Sequence, residues 1–352
     1  MKKLFTILVV LALCLGMCSA FAEQRVGVAM PTQSLQRWNQ DGANIKAMLE
    51  EAGFVVDLQY ANNDVNTQVS QIENMILGGA EVLIVASIDG SALDTVLAAA
   101  KENGIKVIAY DRLLTNTVNV DYYTTFDNYG VGTIQGKFVE EKLDLANAAG
   151  PFTIEFTAGD PGDNNAGLFF SGAFDVLKPY IDAGKLVITS GQSEFAVCAT
   201  PNWNSQTAQD RMDNILSAYY ADCLTGGTKL DVCLCSNDST ALGVTNSLVN
   251  FGFDATNMPI ITGQDCDIAN TKNMVNGLQS MSVFKDTRVL ANQTVAMVKD
   301  ILAGNEPELN ATYANGVIDV PSFNCTPVFA SVDNYQELLI ESGYYTEADL
   351  AN

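Results

Sequence analysis

The sequence predicts an α/β protein built as two doubly wound parallel-sheet lobes joined by a three-stranded hinge. Three observations carry this. Short apolar runs alternate with helical stretches at about 25-residue spacing. The runs are apolar at successive positions rather than at every second one, the pattern of strands covered on both faces. About 330 residues remain once a leader at 1–22 is removed, more than one hydrophobic core usually serves.

Lys2 and Lys3, the apolar run 4–17 and Ala20-Phe21-Ala22 read together as a cleavable secretory signal, so the mature chain starts at Glu23 and is exported. Cys14 and Cys18 inside the signal raise the alternative of a lipid anchor, but Leu13 and Met17 before them are larger than lipoprotein processing accepts. A strand at 26–30 is followed by a polar loop at 31–38 and a helix from about 39 to 51, closed by Gly53. Strand 54–60, a helix to 77, strand 82–86, a helix to 103 and strand 105–110 continue the first lobe. Residues 113–119 and 122–128 interrupt the rhythm.

It resumes in a second sheet: helix 131–143, strand 152–156, helix 166–177, strand 186–189, helix 206–220, strand 230–235, helix 240–251, strand 258–261, helix 268–276 and strand 279–284. Residues 286–352 are too few for a third lobe, so helices at 287–303 and 332–341 complete the two sheets, one each. The chain then crosses between lobes near 128, 285 and 323. That assigns 23–128 with 286–323 to an N-terminal lobe and 129–285 with 324–352 to a C-terminal lobe. Such a molecule hinges but does not separate.

Composition narrows the function. The net charge is -23, or -25 once Lys2 and Lys3 are lost, and a polyanion of that kind repels nucleic acid and anionic lipid. With no histidine, the commonest general base and the commonest neutral metal ligand are both missing. After the leader, no stretch approaches the roughly 20 apolar residues of a spanning helix. Six cysteines follow the leader: Cys198, Cys223, Cys233, Cys235, Cys266 and Cys325. Cys233 and Cys235 stand two apart in a strand, on one face, as small core residues rather than in bonding geometry. Export leaves a disulfide elsewhere among the six open, whereas no C-x-x-C spacing favours a thiolate metal site.

The strand at 105–110 ends in Asp111-Arg112, a carboxylate and guanidinium pair at the sheet edge where α/β folds hold ligands. The other strand ends carry similar groups. They are Gln33, Arg37 and Trp38; Asn62, Asn63 and Asp64; Asp89; Asp160, Asp163, Asn164 and Asn165; Trp203 and Asn204; Asn237 and Asp238; Gln264 and Asp265; and Lys285. Planar Asp, Asn and Arg groups bond two adjacent hydroxyls at once, and pyranose faces stack on aromatic rings, so the set fits a neutral sugar. Each member also has an ordinary reading. Asn62 and Asp267 suit turns and helix caps, Asp111-Arg112 a surface ion pair, Trp38 and Trp203 packing, and Lys285 a solvated face. A glycosidase needs two carboxylates of opposed basicity, and nothing singles out such a pair. No phosphate loop follows a strand, Gly159-x-x-Gly162 lacks a dinucleotide context, and Asp160, Asp163 and Asn165 are not spaced as a calcium loop.

Ten runs carry a closer resemblance: Leu35-Gln-Arg-Trp38, Gln71-Ile-Glu-Asn-Met75, Val107-Ile-Ala-Tyr-Asp-Arg112, Phe126-Asp-Asn128, Asp163-Asn-Asn-Ala166, Val176-Leu-Lys-Pro-Tyr180, Arg211-Met-Asp-Asn214, Ser236-Asn-Asp238, Gly263-Gln-Asp265 and Val283-Phe-Lys285. In these the chain resembles periplasmic monosaccharide-binding proteins of ABC transporters, of the type I fold and the xylose-binding and multiple-aldose-binding branch. The resemblance implies a periplasmic, non-catalytic monomer without cofactor or metal. It would capture an aldose and deliver it to a membrane permease, or alternatively present it to a chemoreceptor or sensor kinase. It further implies that Arg37, Asp111, Arg112, Asp163, Asn165, Asn237, Asp265 and Lys285 bond the sugar's oxygens, with Trp38 and Trp203 against its ring. The loop 195–204, with Cys198 and Pro201, departs from the family's usual segment; 222–229 is longer, and Cys266 replaces a smaller residue.

Overall fold

The computed structural model describes residues 23–351; the stretch 1–22 expected to be a secretory signal, with Cys14 and Cys18, lies outside the described residues. β1 (Arg25–Met30) pairs in parallel with β2 (Val55–Tyr60) and β3 (Val82–Val85), and the sheet continues through β4 (Lys106–Tyr110) to β5 (Tyr122–Phe126). Helices α1 (Gln36–Glu51), α2 (Val65–Leu77) and α3 (Asp94–Glu102) make the crossovers. The central strands lack alternation because both faces are covered. Val82 and Ile84 join one core with Ile45 and Leu49 of α1, while Leu83 and Val85 join another with Ile72, Met75 and Leu97. Each such side chain contributes about 1.5–3 kcal/mol on burial.

Two expectations are corrected here. Helix α1 starts at Gln36, so Arg37 and Trp38 stand in its first turn and not in a loop. The polar residues opening it show no apolar period, yet Gln and Arg are good helix formers. Residues 122–126, read as an interruption, form β5. Its Thr124 and Thr125 are buried because their hydroxyls find partners inside, Thr294 at 2.8 Å and the Asp111 carbonyl at 2.9 Å.

The second lobe follows with α4 (Asn128–Lys142), β6 (Phe152–Thr157), α5 (Asn164–Asp182), β7 (Leu186–Val187), α6 (Phe195–Cys198), a 3₁₀ turn (Pro201–Trp203), α7 (Ser205–Tyr219), β8 (Val232–Cys235), α8 (Asp238–Phe251), β9 (Ile260–Ile261), α9 (Ile268–Val275) and β10 (Ser282–Phe284). Its parallel sheet runs β7-β6-β8-β9. Strands expected at 186–189, 258–261 and 279–284 are shorter; Pro259, which lacks an N–H, stops β9 from starting earlier.

Helix α10 (Thr287–Ala303) packs on α1 in the first lobe. Two strands then extend the first sheet beyond β5: β12 (Asp319–Cys325), parallel to β5, and β11 (Ala311–Ala314), the antiparallel edge. Neither was legible, since Pro321 and the polar Ser322 and Asn324 break the strand pattern. β13 (Val328–Ala330) pairs with β10, and a π-type turn (Gln336–Glu341) and α11 (Glu347–Leu350) end the described chain. The strand expected at 279–284 thus lies outside the second parallel sheet, in a separate antiparallel pair with β13, and the chain leaves the first sheet after β5 and β12 and returns to it after β10. All six described cysteines are unpaired, and Cys233 and Cys235 are buried side by side in β8.

Candidate ligand-binding site

The carboxyl ends of the strands in both lobes face one small, largely polar cavity. The first turn of α1 presents Arg37 and Trp38, and the residues just after β4 present Asp111 and Arg112. Asp163, the N-cap of α5, and Asn165 in its first turn stand opposite, as do Asn237, the N-cap of α8, and Asp265 and Lys285 after β9 and β10. Trp203 closes the remaining side from the 3₁₀ turn. All ten border this cavity, and all are nearly buried.

An ionic network spans the lobes. Arg37 bonds Asp41 through Nε at 3.0 Å, Asp111 through Nη2 at 2.9 Å and Asp265 through Nη1 at 3.4 Å. Lys285 lies 3.1 Å from Asp265 and 3.9 Å from Asp111. Asp111 and Arg112, expected to pair, do not. Arg112 turns to Asp163 at 3.0 Å and donates to the Ser87 carbonyl at 3.0 Å. The cause is local: Asp111 has φ +58°, a left-handed turn that sends neighbouring side chains apart. Its carbonyl is fixed by donors from Tyr123 at 2.7 Å, Thr125 at 2.9 Å and Asn165 at 2.7 Å. Trp203 (φ +54°), Asp265 (φ +96°) and Cys266 (φ +53°) share this uncommon backbone region, so strain gathers around the cavity.

Burial pushes the Asp111 carboxyl up, but Arg37, Lys285 and Arg112 outweigh it and leave it below the ordinary range. Burial wins at Asp163, whose carboxyl is raised despite Arg112. Asp41, fully buried and bonded to Arg37 and Tyr110, is raised to about 6 by burial. The indoles of the two tryptophans differ. Trp38 is flanked by the guanidiniums of Arg37 and Arg112 at 4.7 and 5.0 Å. Trp203 packs on Phe169 and against Gly159, where any side chain would overlap its ring.

Other strand-end residues stay structural. Asp64 caps α2 through the Thr67 N–H at 2.6 Å, Asn204 caps α7 through Thr207 at 2.9 Å, and Asp89 holds Ser91. Asp41, Phe169, Ser239 and Asp267 were missed as neighbours of the site; the spacing of Arg37 and Asp41, four apart on one helix, was the available signal for the first. Four buried polar atoms at the cavity lack protein partners: Nε1 of Trp38 and of Trp203, Oε1 of Gln264 and Oδ1 of Asp267. Outside the cavity, Gln36 and Gln40 of α1 reach the far lobe. Gln36 donates to the Tyr345 hydroxyl at 2.7 Å and accepts from the Ile268 N–H at 3.1 Å, and Gln40 accepts from Tyr344 at 3.1 Å.

A protein that encloses one polar cavity between the carboxyl ends of two parallel sheets is a small-molecule-binding protein of the bilobal kind. The chain belongs to the periplasmic binding protein family, whose domain profile matches residues 26–306. A solute-binding protein of an ABC transporter from Clostridium phytofermentans, solved with bound β-D-glucose, is 60% identical; the match covers 93% of this chain and 100% of that one, with a TM-score of 0.90. The multiple sugar-binding periplasmic receptor ChvE of Rhizobium radiobacter is 46% identical, with 98% of each chain covered. The D-xylose-binding periplasmic protein of Escherichia coli K12 is 35% identical, with 93% of each covered. The family is one of binding proteins, and the chain is not an enzyme. No helix among the described residues is long and apolar enough to cross a membrane.

Proposed function

We propose that this chain is exported to the periplasm, captures an aldose between its lobes and hands it to an ABC sugar permease. The observation that carries the reading is the ring of planar ionic groups with orphaned donors and acceptors. Trp38 and Trp203 offer N–H groups, and Gln264 and Asp267 offer oxygens, to a ligand that both donates and accepts. Buried polar groups are seldom left so without a ligand to complete them. Arg37, Asp111, Arg112, Asp163, Asn165, Asn237, Asp265 and Lys285 bond the hydroxyls and ring oxygen, and the tryptophans cover the ring. The lobes are 23–128 with 286–323, and 129–285 with 324–352, and a sugar bonded by both stabilises the closed state. Relatives solved with glucose or named for xylose support the sugar class.

The test is a thermal-shift panel on the mature chain with xylose, arabinose, glucose, galactose and a uronic acid. A tight ligand raises the midpoint by mass action; no shift with any of them overturns the reading. A second reading, presentation of the bound sugar to a chemoreceptor or sensor kinase, is favoured by the relative named as a receptor. A permease and ATPase encoded beside the gene favour transport, and a lone sensor kinase favours signalling.

A further inference from the structure

Every ionic side chain of the cavity except one has a partner. Arg37 is matched to Asp111, Arg112 to Asp163 and Lys285 to Asp265. Asp267 is the exception. It occupies the N-cap of α9 yet makes no cap bond, and its backbone N–H donates to Asp238 at 2.9 Å, so nothing local employs its carboxylate. Oδ1 is buried without a protein partner. The residue also stands where the cavity meets an outer groove lined mostly by polar side chains, the two sharing Leu35, Ser239 and Asp267.

We propose that Asp267 is a further ligand-contacting residue. Its Oδ1 accepts a hydrogen bond from a hydroxyl of the bound aldose that points toward the groove. This rests on the aldose reading and adds to it a position at which the ligand must donate. An aldose lacking that hydroxyl leaves a buried carboxylate oxygen unsatisfied, and a charge-assisted bond of this kind separates ligands by about tenfold to a hundredfold.

The surroundings make the contact pH-dependent. Burial first, and then Asp265, push the Asp267 carboxyl up to about 7, against the opposing pull of Arg37 and Lys285. Asp238, Cys266 and Tyr345 also face it, and burial pushes all three of them up as well. A hydroxyl donates more strongly to the ionised carboxylate than to the neutral acid. Affinity therefore rises as pH climbs through about 7 and levels off above it.

The experiment is calorimetry on the full mature chain with its best aldose and the monodeoxy series of that sugar, from pH 5.5 to 8.5. Wild type, Asp267→Asn and Asp267→Ala are compared, with ligand-free unfolding midpoints showing that each variant folds. One deoxy analogue is expected to lose at least about tenfold on wild type and nothing further on Asp267→Ala. The rise in affinity through pH 7 is expected to flatten in Asp267→Asn. If aldoses bind but every deoxy analogue loses as much on Asp267→Ala as on wild type, Asp267 is no contact and the aldose reading stands. If no aldose binds wild type, both fall together.

Discussion

At Asp111 backbone and side chain serve different ends. The carbonyl is locked by three donors, one of them Asn165 from the opposite lobe, while the carboxylate balances Arg37 and Lys285. Removing that carboxylate takes from Arg37 and Lys285 one of the counter-charges that balance them in a buried cavity and deletes hydroxyl acceptors. Asp111→Ala should therefore weaken sugar binding by at least about 2 kcal/mol, measured by calorimetry; affinity within twofold of wild type would remove Asp111 from the site. Asp41 gives a stability prediction. Its folded carboxyl is raised to about 6 from an ordinary value of 3.8, so between those pH values the folded chain holds a proton that the unfolded chain has lost. Stability is then lost as pH rises through that window, at about 1.4 kcal/mol per pH unit at most. The unfolding midpoint of the ligand-free protein should rise on acidification from pH 7 to 5, and Asp41→Asn should flatten part of that rise. An unaltered slope in the variant would refute the assignment.

Among the elements, the 3₁₀ turn around Trp203 depends most on a distant residue. The indole lies on Gly159 after β6, so a methyl there must displace the ring. Gly159→Ala should destabilise the protein by about 1–3 kcal/mol through overpacking and lower sugar affinity as well; a variant that unfolds and binds like wild type would show the ring free to move. This turn was the least legible segment of the site, because its path is set by Gly159 and by the Ser239 hydroxyl that donates to the Trp203 carbonyl at 2.5 Å, contacts remote in sequence. The start of α1 was lost for a different reason: a polar first turn has no apolar period, although its side chains lead straight to the cavity. The strand ends themselves were legible, since continuous apolar runs stop abruptly at polar residues. The partners of those residues were not, because Asp111 and Arg112 are adjacent in sequence and diverge in space.

Across the whole molecule, the alternation of strand and helix announced two parallel sheets. The carboxyl-terminal return through β11 and β12 was hidden by Pro321 and its polar neighbours. That return makes the third passage between sheets, and beyond it the chain places Tyr344 and Tyr345 against α1 of the other lobe. These bonds hold the lobes together without any contribution from a ligand. Tyr345→Phe should shift the ligand-free protein toward open forms, seen as a larger radius of gyration in X-ray scattering that saturating sugar reverses. Apparent affinity should fall severalfold, as the closed fraction drops. Identical scattering of the two ligand-free proteins would rule out a latch at this position.

The unpaired cysteines have a kinetic consequence. Five of the six lie between 198 and 266, in the part of the chain that forms the second sheet and its helices, and Cys325 ends β12 of the first. Burial raises their thiols, to about 11 at Cys198 and about 12 at Cys235 and Cys325, and the thiol form reacts slowly with alkylating reagents. Each thiol therefore works as a clock that starts when its surroundings open. Pulsed alkylation read by mass spectrometry should modify the partly exposed Cys223 first, and bound sugar should slow the labelling of Cys266, which sits beside Asp265. Refolding from denaturant, in turn, should proceed equally well with and without reductant, since no bond joins the sulfurs of the described cysteines.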